Sequence, residues 1–133
     1  MLTTSPAPVV AERQRRAADL TPWLDRGPVF LSAITVSELL LGVHRADTAE
    51  RRNRRSAFVE QIFQTIPAIP ADLNVARVHA RLFADLLLTG RMIGAHDLWI
   101  AATAVTHGHA LLTTNLDEFE RVAGLAVLAF PAL

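Results

Sequence analysis

The chain has 133 residues, enough for one domain with its own apolar core and too few for two. Its thirteen basic and thirteen acidic residues cancel to a net charge of zero. That excludes recruitment of nucleic acid through overall positive charge and leaves the task to local patches. The absence of cysteine removes disulfides, thiolate metal sites and a cysteine nucleophile. Apolar residues make up 51% of the chain, more than the interior of a small monomer needs, so part of the surplus is expected at an interface. No apolar run approaches the roughly 20 residues of a membrane span. The opening MLTTSPAPVVAERQRR has no hydrophobic core of signal-peptide type, so a cytoplasmic protein without membrane contact is expected.

Short runs of strand character alternate with longer stretches of helical period. A helical pattern at about 9–25 leads to the strand VFLS (29–32), and helical patterns follow at 35–45 and 48–64. The strand IPAI (66–69) comes next, bracketed by Pro67 and Pro70, then helices at 71–89 and 95–107 with Gly90 and Gly94 near the turn between them. The strand ALLTT (110–114), a short turn of helix after Asn115 and the strand AVLAF (126–130) complete the series. Strands alternating with helices of this length imply crossover connections and a central, mainly parallel sheet covered on both faces. The expected fold class is therefore α/β, a three-layer α/β/α sandwich in a single domain over residues 1–133.

Three widely separated acidic positions lie beside these apolar elements: Glu38 in ITVSELLLGVHRA, Asp97 in IGAHDLWIAATAV, and Asp117 with Glu118 in LLTTNLDEFERVAGL. Sites in such sheets form beyond the carboxyl ends of the strands. Asn115 and Asp117 follow ALLTT directly, Glu38 follows VFLS by a turn of helix, and Asp97 opens a helix. Carboxylates gathered at one point repel, and a hard divalent cation such as Mg²⁺ or Mn²⁺ is the usual remedy, which points to phosphoryl chemistry. Local explanations stand beside this one. Thr35 and Glu38 have capping-box spacing, as do Asn115 and Glu118. Asp97 can serve the dipole of its own helix. The five histidines form no HExxH array or nucleophile triad, and Trp99 and Ile100 read as core. All thirteen basic residues are arginine, densest at Arg51, Arg52, Arg54 and Arg55, a run that fits a solvated helix face better than a binding patch.

Two long blocks, LSAITVSELLLGVHRA and GRMIGAHDLWIAATAVTHGHALLTTNLDEFERVAGLAV, resemble PIN-domain proteins, specifically toxins of the bacterial VapC type. The resemblance covers nearly the whole chain. It implies a Mg²⁺- or Mn²⁺-dependent endoribonuclease acting on structured RNA such as tRNA or rRNA, a homodimer, and a cognate antitoxin partner. It further implies a site built from Glu38, Asp97, Asn115 and Glu118, with Asp117 one residue out of register and kept as a candidate, and with Thr113 as an assisting hydroxyl. Asp97, Glu38 and Asp117 are the expected metal ligands, and an arginine rim including Arg51 to Arg55 is expected to hold the RNA backbone. The departure lies at the start. Where the family carries its first acid in an Asp-Thr-Ser-like triplet, this chain has Thr3, and Pro6 and Pro8 make the first strand, near 1–10, short or irregular. A hydroxyl lacks the charge that offsets dehydration of Mg²⁺, so a catalytically silent PIN-like module that binds antitoxin or RNA is the alternative.

Overall fold

The computed structural model describes residues 9–11 and 28–129. Its elements run β1 (Val9–Ala11), β2 (Val29–Ser32), α1 (Ala33–His44), α2 (Ala49–Thr65), β3 (Ala68–Ile69), α3 (Leu73–Thr89), α4 (Ala95–His107), β4 (Ala110–Thr113), α5 (Leu116–Phe119) and β5 (Val127–Ala129). The strands form one sheet in the order β3-β2-β1-β4-β5, and every neighbouring pair is parallel. Parallel pairing puts all carboxyl ends on one edge, so whatever follows Ser32 and Thr113 emerges on the same side of the molecule.

The helical pattern expected from residue 9 gives way to a strand at its start. Val9–Ala11 is the middle strand, with Val9 opposite Val29 on one side and Ala110 on the other. Val9 and Val10 are β-branched, and the two prolines stop at position 8, so no residue of this doubly paired strand lacks an N–H. The helix-forming residues after Ala11 masked that boundary in the sequence. The remainder of the expected helix, 12–25, lies outside the described residues, as do Thr3 and Phe130.

Successive residues of β4 bury into different clusters, which is how a strand with two covered faces behaves. Leu111 joins Val75, Leu82 and Leu86 of α3 and Leu98, Ile100 and Ala101 of α4, with Phe30 and Val127 alongside. Leu112 joins Val29, Leu31, Ile62 and Ile66, with Val36, Leu39, Phe63 and Leu128 packed on them. Ile100 is fully buried and Trp99 packs on the first cluster with its ring stacked 3.8 Å from that of His79. Both therefore sit in the core, as their sequence setting suggested. Among the described residues no helix is long and apolar enough to cross a membrane.

Two helix boundaries decide where the site acids stand. α1 begins at Ala33 because buried Ser32 caps it: its Oγ accepts from the Thr35 N–H at 3.0 Å and donates to Thr35 Oγ1 at 3.1 Å. Thr35 is thus inside the helix, and the capping-box explanation of Glu38 falls away. α4 ends at Gly108, whose φ of 67° is the left-handed conformation that lets the chain turn directly into β4.

Replacing Ser32 by Ala leaves the buried Thr35 N–H and hydroxyl without their partner, and a loss of about 1–2 kcal/mol is expected in urea unfolding. A second expectation concerns pH. Burial pushes His79 below its usual value, and burial followed by the neighbouring His107 does the same for His109, whose ring stacks on Phe30. Both bind protons more weakly folded than unfolded, so their contribution is complete above the ordinary value of 6.5 and is lost as pH falls below it. Melting temperature should drop between about pH 7 and pH 5, and His109→Phe should shallow that slope.

Candidate active site

Glu118 leaves α5 and spans to another helix. Its Oε1 accepts from the Gly94 N–H at 2.8 Å and its Oε2 accepts from Asn115 Nδ2 at 3.0 Å. Gly94 is the N-cap of α4 and contributes no side chain, so its N–H is one of the donors a helix start leaves open, and Glu118 takes it from 24 residues away. A Cβ built on Gly94 would stand 3.4 Å from Glu118 Oε1 and 3.5 Å from Asp97 Oδ2. The glycine therefore sits between two carboxylates. Asp97, in the first turn of α4, shares a hydrogen bond with Glu118.

The electrostatics follow from those donors. The Asp97 hydrogen bond is the chief cause holding Glu118 below the usual carboxylate range; partial burial opposes it, and Gly94, Asn115 and the charge of Arg121 reinforce it. These donors favour the ionised form of Glu118.

The loop carrying Glu118 is fixed from below. Thr113, fully buried at the end of β4, accepts the Asn115 N–H on Oγ1 at 2.9 Å. The capping-box explanation for Asn115 and Glu118 requires Glu118 to receive that same N–H, and it does not. Phe119, fully buried beside Glu118, anchors the single turn of α5 in the core.

Glu38, on α1, is tied to the same corner through His96, whose Nδ1 lies 3.3 Å from Glu38 Oε2. The Glu38 side chain is only 17% exposed, and its Oε1 is buried with no hydrogen-bond partner among the described residues. A buried carboxylate oxygen left without a donor is costly unless something cationic or protic meets it. Asp117 is exposed and makes no hydrogen bond or ion pair among the described residues. The structure therefore joins Asp97 to Glu118 and Asn115, links Glu38 to the residue before Asp97, and leaves Asp117 apart. His96 and Gly94 were missed in the sequence. The only local signal was their place at the start of the Asp97 helix, because their partners are 58 and 24 residues distant.

The donor set is all oxygen, which suits a hard divalent cation. Among the described residues no group of three or more His, Asp or Glu side chains is gathered closely enough to cage a metal. Mg²⁺ does not need such a cage, since it is commonly held by one or two carboxylates with water and phosphate completing its shell. The Asp97 and Glu118 pair fits that mode, with Glu38 linked to it through His96.

Comparison with known proteins identifies the family. The model of the PIN domain matches residues 7–125. The chain is 35% identical over 120 residues, 90% of each chain, to Ribonuclease VapC1 of Rickettsia felis. It is 32% identical over 102 residues to the tRNA(fMet)-specific endonuclease VapC of Shigella flexneri, covering 77% of this chain and 75% of that one. The crystal structure of VapBC-5 from Mycobacterium tuberculosis, a member of the VapBC family of toxin-antitoxin systems, superposes with a TM-score of 0.72 at 32% identity, covering 93% of this chain and 98% of that chain. The chain belongs to the PIN-domain family, in its VapC branch.

Removing the Asn115 side chain with Asn115→Ala deletes a donor to the ionised form of Glu118. The Glu118 carboxyl should then titrate higher, and Asn115→Asp should raise it further through like charge, both readable from carboxyl ¹³C shifts against pH.

Proposed function

We propose that this chain is the toxin of a type II toxin-antitoxin system, a Mg²⁺- or Mn²⁺-dependent endoribonuclease that cleaves structured RNA such as tRNA or rRNA and is restrained by a cognate antitoxin in the cytoplasm. The observation that carries the reading is the carboxyl pair of Asp97 and Glu118 at the start of α4, with Glu38 tied to the adjoining His96 and its second oxygen buried and unpartnered. The names of its relatives, a ribonuclease and a tRNA endonuclease, support it. Asp97 and Glu118 would hold the cation, Glu118 taking the part first expected of Asp117, with Glu38 engaging it directly or through water. The chemistry a cation supplies there is activation of a water and neutralisation of charge on the scissile phosphate.

The chain's own residues do the positioning. Gly94 and Asn115 fix both oxygens of Glu118, so the carboxylate is oriented before substrate arrives. His96 holds one oxygen of Glu38 and leaves the other directed into the protein, available to orient a water. Leu41 and Phe58, large apolar residues exposed on α1 and α2, support an amphipathic antitoxin segment docking there. Leu73, Leu87 and Leu88, exposed on α3, support a homodimer.

Thr3 and the lack of a three-acid group among the described residues favour a second reading, a catalytically silent PIN-like module that binds antitoxin or RNA. One experiment separates the two: cleavage of pooled tRNA and rRNA with Mg²⁺ or Mn²⁺ by this chain and by its Thr3→Asp form. Cleavage by either that disappears with EDTA supports the nuclease, whereas RNA binding without cleavage by both supports the silent module. In the cleaving form, Asp97→Asn and Glu118→Gln should each lower the rate by roughly 10²-fold or more with the fold intact by circular dichroism, and Asp117→Asn should leave it essentially unchanged.

A further inference from the structure

A groove of about 400 Å³ opens beside the site, lined by Glu38, Leu41, Gly42, Arg45 and Arg55. Glu38 forms one end, and Arg45, seven residues on at the C-cap of α1, lies two helical turns away, roughly 10 Å along the axis. The arginines of this region are sorted by what they face. Arg51 is bound by both oxygens of Asp47, at 2.7 and 2.9 Å, and Arg54 pairs with Glu50 at 3.5 Å, so both are neutralised on an exposed helix face. Arg52 donates to the Ala46 carbonyl. Arg45, exposed, has no side-chain partner among the described residues. Arg55 spends one nitrogen on the Gly42 carbonyl at 3.1 Å, which fixes its guanidinium at the groove wall with further donors open. Nothing lies within 4 Å of where a Gly42 Cβ would be, so the floor between the arginines is clear.

Two guanidiniums with open donors, one held by the Gly42 carbonyl and both lining a concave surface that starts at a site acid, match a phosphodiester backbone more closely than an apolar or acidic peptide. Resting on the ribonuclease reading above, we propose that Arg45 and Arg55 clamp a backbone phosphate of the RNA, one neighbouring the phosphate that is cleaved. The clamp sets the path of the strand from α2 across α1 to Glu38. It reads no base, so it positions any RNA the site accepts.

The test is binding of pooled tRNA in EDTA, which prevents cleavage, followed by fluorescence anisotropy at about 50 to 200 mM salt. Arg45→Gln carries it, because that side chain supports no contact in the described fold; Arg55→Gln and Gly42→Glu, which puts a negative charge on the groove floor, accompany it. Each arginine variant should weaken binding on the order of tenfold at low salt and lessen the slope of log affinity against log salt by about 1, while Arg51→Gln does neither. With Mg²⁺ added, the same variants should raise KM with kcat little changed. Unchanged affinity and slope in Arg45→Gln, Arg55→Gln and Gly42→Glu, with the unmodified chain still binding and cleaving RNA, overturn the clamp and leave the ribonuclease reading standing. An equal loss in Arg51→Gln also overturns it, since general charge then explains the effect. Loss of a co-expressed antitoxin with tRNA binding intact assigns the groove to a protein partner and overturns it too. A chain that neither binds nor cleaves RNA removes both readings together.

Discussion

A single long-range hydrogen bond, from the Gly94 N–H to Glu118, holds the candidate site together. Two carboxylates do not sit side by side without cause, because mutual repulsion and lost hydration drive them apart. Here one helix start supplies an open N–H, an asparagine side chain supplies another donor, and the Asp97 carboxyl itself bonds to its partner. With these donors Glu118 stays ionised, and the pair persists as a preformed oxygen site. The same bond fastens the one-turn α5 to the start of α4, so the geometry of the acids and the docking of that loop are one structural fact.

The sheet makes this possible by direction. Every observed pairing is parallel, so α1 and the Asn115 loop leave from one edge although 81 residues separate Ser32 from Thr113. Burial on both faces stiffens that edge: Leu111 and Leu112 are each fully buried, in different clusters. Functional side chains at such an edge inherit the rigidity of the core while staying accessible to substrate.

Charge is distributed with the same economy. A chain of net charge zero cannot rely on a diffuse positive field, yet its arginine-rich α2 is not uniformly available. Asp47 and Glu50 silence two arginines on the solvent face, and backbone carbonyls at the end of α1 orient two others. What survives is a local patch beside Glu38, where cations are useful to a phosphoryl reaction.

Much of the fold was legible in the sequence. β2 and α4 have the bounds read from VFLS and from residues 95–107, because apolar periodicity there is strong and glycine marks both ends of α4. β1 was foreshadowed only by the resemblance, as a short or irregular strand near 1–10, because three residues of strand ahead of a run of helix formers carry no period of their own. At the site, the sequence determined which chemistry was on offer: oxygen ligands, arginine, no thiol. The choice among those acids was a matter for the tertiary structure. A threonine or asparagine three residues before a glutamate has the same spacing whether the glutamate closes a local cap or crosses to a distant helix. Only the tertiary structure carried Glu118 across to Gly94 at the start of α4, brought His96 of α4 to Glu38 of α1, and set Arg55 of α2 against the Gly42 carbonyl beside Arg45.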